Sequence, residues 1–141
     1  MEVDRIEQLY GEQIDTLKAL YDAAWWTTGR TLPDIARMLR HSDIVVGLCL
    51  PQSGELVAFA RVLTDYVYKA LILDVIVAEP YRGNGLGRQL LADIVTHPLL
   101  KNVAHLELYC RPDVAPFYEA WGFTTDLDAL CFMRRRSAAA A

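Results

Sequence analysis

Arg82-Gly83-Asn84-Gly85-Leu86-Gly87 lies directly after an apolar run and directly before a helical pattern, and residues of this kind in this order build an anion cradle. The run before it, Leu71-Ile72-Leu73-Asp74-Val75-Ile76-Val77, is rich in β-branched residues and is closed by Pro80, which predicts a buried strand ending near Ala78. After it, Leu86, Leu90, Leu91, Ile94 and Val95 share one helical stripe that stops at Pro98. The glycines therefore sit at a helix N-terminus. Unpaired N–H groups and the positive end of the helix dipole favour a phosphate there, and the missing Cβ atoms let the main chain approach it. Arg82 and Arg88 add fixed positive charge for a polyanion.

Spacing separates the glycine-loop chemistries. A triphosphate loop ends in Gly-Lys-Ser/Thr, whereas this one ends Gly87-Arg88-Gln89, without the lysine or the magnesium hydroxyl. A dinucleotide fingerprint places a glycine three residues after Gly85, where this chain has Arg88, and it opens a βαβ unit instead of following a strand midway along the chain. A plain glycine turn capping an ordinary helix needs fewer than three alternating glycines. A pyrophosphate site remains.

Two segments carry a family resemblance. Val77-Ala78-Glu79-Pro80-Tyr81-Arg82-Gly83-Asn84-Gly85-Leu86-Gly87 resembles the acetyl-coenzyme A signature of the GNAT N-acetyltransferases. Ala115-Pro116-Phe117-Tyr118-Glu119-Ala120-Trp121-Gly122-Phe123 resembles that family's later motif, a short helix carrying Phe-Tyr and ending at Gly-Phe. The resemblance covers most of the chain from about Asp43 onward; the first forty residues share only the pattern. It implies an α/β acyl-CoA N-acyltransferase fold, with a mixed twisted central sheet and helices on both faces. It also implies acetyl-CoA as cosubstrate, no metal, and direct transfer to an amine in a ternary complex. A splayed pair of strands admits the pantetheine arm in this family. On this chain the coenzyme contacts map to Val75, Ile76, Val77, Arg82, Gly83, Asn84, Gly85, Leu86, Gly87, Arg88, Asp113 and Phe117. Asp113 stands where relatives often carry an asparagine. Tyr118 matches the tyrosine placed in many relatives to protonate the coenzyme sulfur; the alternative is a core tyrosine among Phe117, Trp121 and Phe123.

Acetyl transfer needs a neutral amine, and alkylamines ionise near pH ~10, so a base or a water chain must take the proton. Asp74, a carboxylate within an apolar strand, is one candidate base, because desolvation raises a carboxylate's pKa. The equal alternative is a buried pair with an arginine. Asp65, His105 and Glu107 are lesser candidates. The acceptor site falls to the N-terminal helices and facing strands. There Trp25 and Trp26 project about 100° apart if helical, so that one lines a cleft or both pack the helix end. With Tyr66, Tyr68 and Tyr109 they make an aromatic wall suited to a cationic amine. Arg30 points instead to an acidic acceptor.

The positioning elements alternate. Strands are predicted within Val3–Leu9, at Ile44–Leu50 and Leu56–Leu63 as a hairpin about Pro51-Gln52-Ser53-Gly54, at Tyr66–Ala78, at Val103–Arg111, and at Ala129–Arg135 as a closing strand. Helices are predicted at Gln13–Ala24, from Pro33 onward, at Gly85–Thr96 and at Val114–Ala120. A chain of 141 residues is read as one domain over residues 1–136 with a flexible, solvated tail at 137–141. A formal charge of −4 argues against nucleic acid as a partner. No run reaches the ~20 apolar residues of a membrane span. Cys49, Cys110 and Cys131 are odd in number and widely spaced, reading as buried thiols in a reducing compartment, so a cytoplasmic monomer or homodimer is expected. The expected activity is acetylation of a small primary amine. The alternatives are a coenzyme A sensor without transfer, an acetyltransferase of protein lysines or N-termini, and a nucleotide-binding module.

Overall fold

The computed structural model describes residues 1–139, so the last two positions of the expected tail lie outside the described residues. The chain is described as two compact units, Met1–Tyr109 and a second beginning at Cys110.

The first unit contains β1 (Asp4–Ile6), α1 (Glu12–Asp22), α2 (Leu32–Arg40), β2 (Ile44–Cys49), β3 (Leu56–Thr64), β4 (Lys69–Val77), α3 (Leu86–Val95) and β5 (His105–Glu107). Its five strands stand in the order β1-β2-β3-β4-β5. Neighbours are antiparallel except β4 and β5, which run parallel. A parallel neighbour requires a crossover, and α3 supplies it.

Local chemistry sets the boundaries. Thr31 caps α2, its hydroxyl accepting from the Asp34 amide at 3.3 Å, with Pro33 in the first turn. The β2–β3 hairpin turns at Gly54 (φ +72°), where a positive φ is needed. The next turn is built by Asp65, whose Oδ1 accepts the amides of Val67, Tyr68 and Lys69 at 2.9, 2.7 and 3.1 Å. This Asp-capped turn delays β4 to Lys69, three residues later than the β-branched pattern suggests.

Both faces of the sheet are covered, as the wholly apolar and wholly buried β2 requires. On one face Leu17 and Tyr21 of α1 and Ile35 of α2 pack with Val45, Cys49, Leu56, Phe59 and Ile76. The residues alternating with them, such as Val46 and Leu48, point the other way and are fully buried. There α3 packs against β2, β3 and β4 through Leu86, Leu90, Leu91 and Ile94.

The second unit holds a short 3-10 turn (Pro112–Val114) followed by α4 (Ala115–Glu119). Gly122 at φ +90° donates to Glu119 O at 2.9 Å and closes the helix end.

Three expectations are corrected. The helix read as Gln13–Ala24 ends at Asp22, and residues 110–139 contribute no strand, so the closing strand expected at Ala129–Arg135 is absent from the described residues. Asp128 and Ala129 take φ of +55° and +68°, a left-handed turn that breaks extension where that strand was to begin. Of the thiols expected to be buried, only Cys49 is; Cys110 and Cys131 are exposed.

Gly47 in β2 faces Ile6 across the β1 ladder, and a Cβ there would meet Ile6 Cγ1 at 2.9 Å and Leu56 Cδ1 at 3.1 Å. We expect Gly47→Ala to displace β1 and lower stability by about 1 kcal/mol or more, measured by urea denaturation. An unchanged midpoint would mean that β1 contributes no rigid packing.

Candidate active site

The carboxyl end of β4 runs into the glycine loop without interruption. Ala78 closes the ladder by donating to Val57 O at 2.8 Å, and a 3-10 turn over Glu79–Tyr81 leads to Arg82. Gly83 and Gly85 have φ of +83° and +77°, so glycine is demanded by the backbone itself. A Cβ built on either would meet nothing within 4 Å; both face open space instead of protein. Gly85 is the N-cap of α3, and no side chain caps that end. The leading amides of α3 therefore remain available to an anion, with the dipole aligned. Asn84 folds back to Tyr81 O at 2.9 Å, and Arg82 Nε donates to Val77 O at 3.1 Å. Arg82 and Arg88 are exposed.

Beside this loop β4 has an open edge. Its pairing with β5 covers only Lys69–Leu71 against His105–Glu107, so residues 72–77 have no β5 partner. Val75 and Val77 are half-buried along that edge, whereas the Ile76 and Leu86 side chains are buried. These last two, expected among the coenzyme contacts, can contribute only main-chain atoms. An extended amide chain would add to the free edge as a strand does.

Asp74 interrupts β4 with φ +56°. The register against β3 shifts at the same place, between Phe59 and Arg61, the mark of a β-bulge. Its carboxylate, with 5 % of the side chain exposed, is gathered from three elements. Tyr21 Oη of α1 donates to Oδ2 at 2.9 Å, Arg30 Nη1 at 2.8 Å and Arg61 Nε of β3 at 2.7 Å. The Arg30 guanidinium also lies 4.5 Å from the centre of the Tyr21 ring.

Burial alone would raise the Asp74 pKa, but the hydrogen bonds and charges of Arg30 and Arg61 outweigh it and hold the carboxyl below its ordinary value. The upward shift expected of a base is thus reversed, and the geometry is that of the buried arginine pair. Tyr21 is raised by desolvation first and by the Asp74 charge second, so it stays protonated and donates. Arg30, expected to meet an acidic acceptor, is committed to Asp74. Asp65 is a turn cap, and Lys69 reaches Glu107 at 3.1 Å and His105 Nδ1 at 3.3 Å, so the lesser base candidates are engaged in structure.

The segment after α1 explains the tryptophans. Thr27 Oγ1 donates to Tyr21 O at 2.8 Å and Thr28 Oγ1 to Asp22 O at 2.9 Å. The two hydroxyls cap the last carbonyls of α1 and turn the chain back toward Arg30. Trp25 and Trp26 lie in this turn instead of on the helix, 74 % and 45 % exposed; neither packs into the core. Tyr66, Tyr68 and Tyr109 are exposed as well.

In the second unit, Tyr118 on α4 lies edge-on to Phe117 and Phe123, with ring centres 5.0 and 6.1 Å away. Burial, with a smaller effect from Cys110, pushes its pKa up to about 12, so the phenol keeps its proton and can give it. Asp113 is exposed and pairs with Arg111 at 3.3 Å. Among the described residues no cluster of His, Cys, Asp and Glu is arranged to hold a metal, and no helix is long and apolar enough to cross a membrane.

An uncapped helix N-terminus thus stands behind two left-handed glycines and is fed by a strand with a free edge. Residues 6–123 match the Acetyltransferase (GNAT) family. The chain belongs to that family. It is 31 % identical over 116 residues to the uncharacterized N-acetyltransferase ycf52 of Porphyra purpurea, covering 81 % of this chain and 66 % of the relative. It is 37 % identical over 98 residues to a chloroplastic serotonin N-acetyltransferase of Oryza sativa subsp. japonica, covering 68 % of this chain and 49 % of the relative. The chain thus spans about half to two thirds of the length of these relatives. Among solved structures, a GNAT-family acetyltransferase from Xanthomonas campestris superposes with a TM-score of 0.82 at 26 % identity, over 97 % of this chain and 94 % of that one. The expected mixed sheet and family are therefore correct, and acetyl-CoA is the family's cosubstrate. The residues at the loop fit it: glycines that admit a pyrophosphate, free α3 amides, Arg82 and Arg88 for its charge, and the β4 edge for its amide arm.

Two outcomes follow for this site. Gly85→Val places a β-branched side chain at a positive φ against the anion, and we expect acetyl-CoA binding to fall by about a hundredfold or more in calorimetry, with Arg88→Gln losing about tenfold. Unaltered affinity in Gly85→Val would move the pyrophosphate elsewhere. Because the folded pKa of Asp74 lies below the unfolded value of about 3.9, its contribution to stability is present above that value and is lost as pH falls through the lowered one. The acid limb of unfolding free energy below about pH 4 should flatten in Asp74→Asn; an identical limb would show that Asp74 does not set it.

Proposed function

We propose that this protein transfers the acetyl group of acetyl-CoA to a small primary amine within a ternary complex. The observation that carries the reading is the unpaired β4 edge leading directly into the uncapped glycine loop of α3. One stretch of chain thereby offers main-chain partners to an amide arm and then to a pyrophosphate. Bound there, acetyl-CoA supplies an activated thioester carbonyl. The amine nitrogen attacks the carbonyl carbon, the C–N bond forms and the C–S bond breaks. The departing thiolate takes the proton of Tyr118, a role that rests on its match to the family's Phe-Tyr motif and on its retained proton. With Asp74 held as a charge partner, the ammonium proton leaves through water before attack, and the proton that nitrogen loses as the amide forms returns through water to the Tyr118 oxygen.

The acceptor reading rests on side-chain chemistry. Trp25, Trp26 and Tyr66 present large aromatic surfaces to solvent, which suits an amine with an apolar or aromatic body. The rice relative named for serotonin, an arylalkylamine, supports the same class. Arg30 no longer argues for an acidic acceptor, since its guanidinium is engaged by Asp74.

Thiol release from acetyl-CoA, followed with a panel of arylalkylamines, polyamines, amino acids and lysine peptides, tests this reading. Turnover is expected with arylalkylamines. Turnover confined to peptides would replace the small-molecule reading with protein acetylation, and coenzyme binding without any turnover would favour the sensor. In Tyr118→Phe, kcat should fall by about ten- to a hundredfold with acetyl-CoA affinity unchanged. Since the phenol titrates at about 12, the wild-type rate should show no loss from this group up to about pH 10; an alkaline fall near neutrality that disappears in Tyr118→Phe would contradict the assignment.

A further inference from the structure

The bulge in β4 raises a question that its burial does not answer: what keeps a non-glycine residue left-handed in the middle of a strand. Asparagine and aspartate tolerate that region better than other side chains, but it remains unfavourable for them. At Asp74 the conformation comes with an unusual set of bonds. All three close donors converge on one oxygen, Oδ2, and they arrive from α1, from the segment before α2 and from β3. Arg30 Nη2 reaches the other oxygen at 3.5 Å. A helix, the chain before α2 and the neighbouring strand therefore pull one β4 side chain toward a single point. Pairing with β5 ends at Leu71, three residues before this point, and never resumes along Ile72–Val77.

From this geometry we infer that Asp74 is a positioning residue for the coenzyme: its carboxylate, pinned by Tyr21, Arg30 and Arg61, holds the β4 kink that keeps the Val75–Val77 main chain away from β5 and open to the pantetheine arm. The physical cause is direct. A bulge adds a residue on one strand, bends it and increases its twist, and a twisted strand leaves the plane of its parallel neighbour. Without the pin, β4 can relax toward ordinary extension, and its amides turn back toward β5. The pin also joins the chain from Trp25 to Arg30, where the acceptor is placed, to the strand that would hold the coenzyme. The inference rests on the coenzyme reading above, and acetyl-CoA binding by the wild-type protein is the control that separates the two.

The test uses the full chain and four proteins: wild type, Asp74→Asn, Asp74→Gly and Tyr21→Phe. Circular dichroism checks folding, calorimetry gives the acetyl-CoA dissociation constant, and steady-state rates are taken across pH with an accepted amine. Glycine removes the carboxylate while permitting the positive φ, so it separates the pin from the dihedral. The dissociation constant and KM for acetyl-CoA are expected to rise about tenfold in Asp74→Gly and Asp74→Asn and about threefold in Tyr21→Phe, in line with charge-assisted hydrogen bonds lost. At saturating coenzyme, kcat should stay within about threefold, and the pH profile should keep its shape. A fraction folded in reversible equilibrium raises the apparent dissociation constant by its reciprocal, so a tenfold rise from unfolding would need about nine-tenths of the sample unfolded, which circular dichroism would show. If both Asp74 variants fail to fold, Tyr21→Phe, which removes a single hydroxyl, still decides. Unchanged coenzyme affinity in every folded variant would overturn the inference. So would a kcat loss of about a hundredfold with unchanged affinity and a lost acid limb, which would make Asp74 a base. A wild type that does not bind acetyl-CoA would remove the coenzyme reading itself.

Discussion

Backbone amides and carbonyls left without partners inside a protein are costly, about 1–3 kcal/mol each when buried, yet a strand that receives a ligand along its edge must leave some of them open. β4 meets this constraint by position. Its first three residues pair with β5 and fix the parallel register. Its other edge pairs with β3 on both sides of the bulge, so the strand is anchored while one side stays free. Part of the exposed polarity is covered locally, since Arg82 Nε takes the Val77 carbonyl. Helices on both faces carry the hydrophobic burial that lets the sheet tolerate this incomplete ladder.

Electrostatics follows the same geometry. The loop after β4 collects positive potential from the α3 dipole and two arginines without any buried carboxylate among its own residues. Asp74 sits further back along the strand and is already matched by two guanidiniums and a phenol. A buried ion pair of this kind is weak evidence for net stability, because desolvation offsets much of the attraction. Its use is directional, because each donor arrives from a different element and their meeting point is fixed. Removing one partner would leave charge uncompensated in a site with little solvent, which makes the arrangement of α1, β3 and β4 mutually dependent.

How much of this was legible in the sequence depends on what each feature is made of. The loop proposed to hold the coenzyme is built from main chain, and main-chain sites require glycine at positive φ; Gly83 and Gly85 announce it. The helices, the β2–β3 hairpin and the order of elements follow from apolar period, Pro33 and Gly54. The left-handed Asp74 was visible only as an odd carboxylate, because its partners lie 53, 44 and 13 residues away and no local pattern links them. The start of β4 was misread because Asp65 satisfies three amides at once, a side-chain turn that competes with the β propensity of Tyr66-Val67-Tyr68. At Ala23 and Ala24 the helical period was extended too far, since Thr27 and Thr28 spend their hydroxyls on the last carbonyls of α1.

The same distinction explains why the acceptor is harder to read than the coenzyme. A pyrophosphate and an amide arm are recognised by backbone groups that every residue carries, so the sequence must advertise the conformation, and it does so with glycine. An amine acceptor is recognised by side chains on segments whose backbone is ordinary, and aromatic residues serve cores and clefts equally well. Only their exposure separates the two uses, and exposure is a tertiary property. Trp25 and Trp26 are exposed because two short hydroxyl side chains close the helix beneath them and return the chain to Arg30. The turn that ends α1 thus presents the aromatic surface and delivers the arginine that reaches Asp74, so an insertion within Trp25–Arg30 would alter the proposed acceptor surface and the β4 kink together.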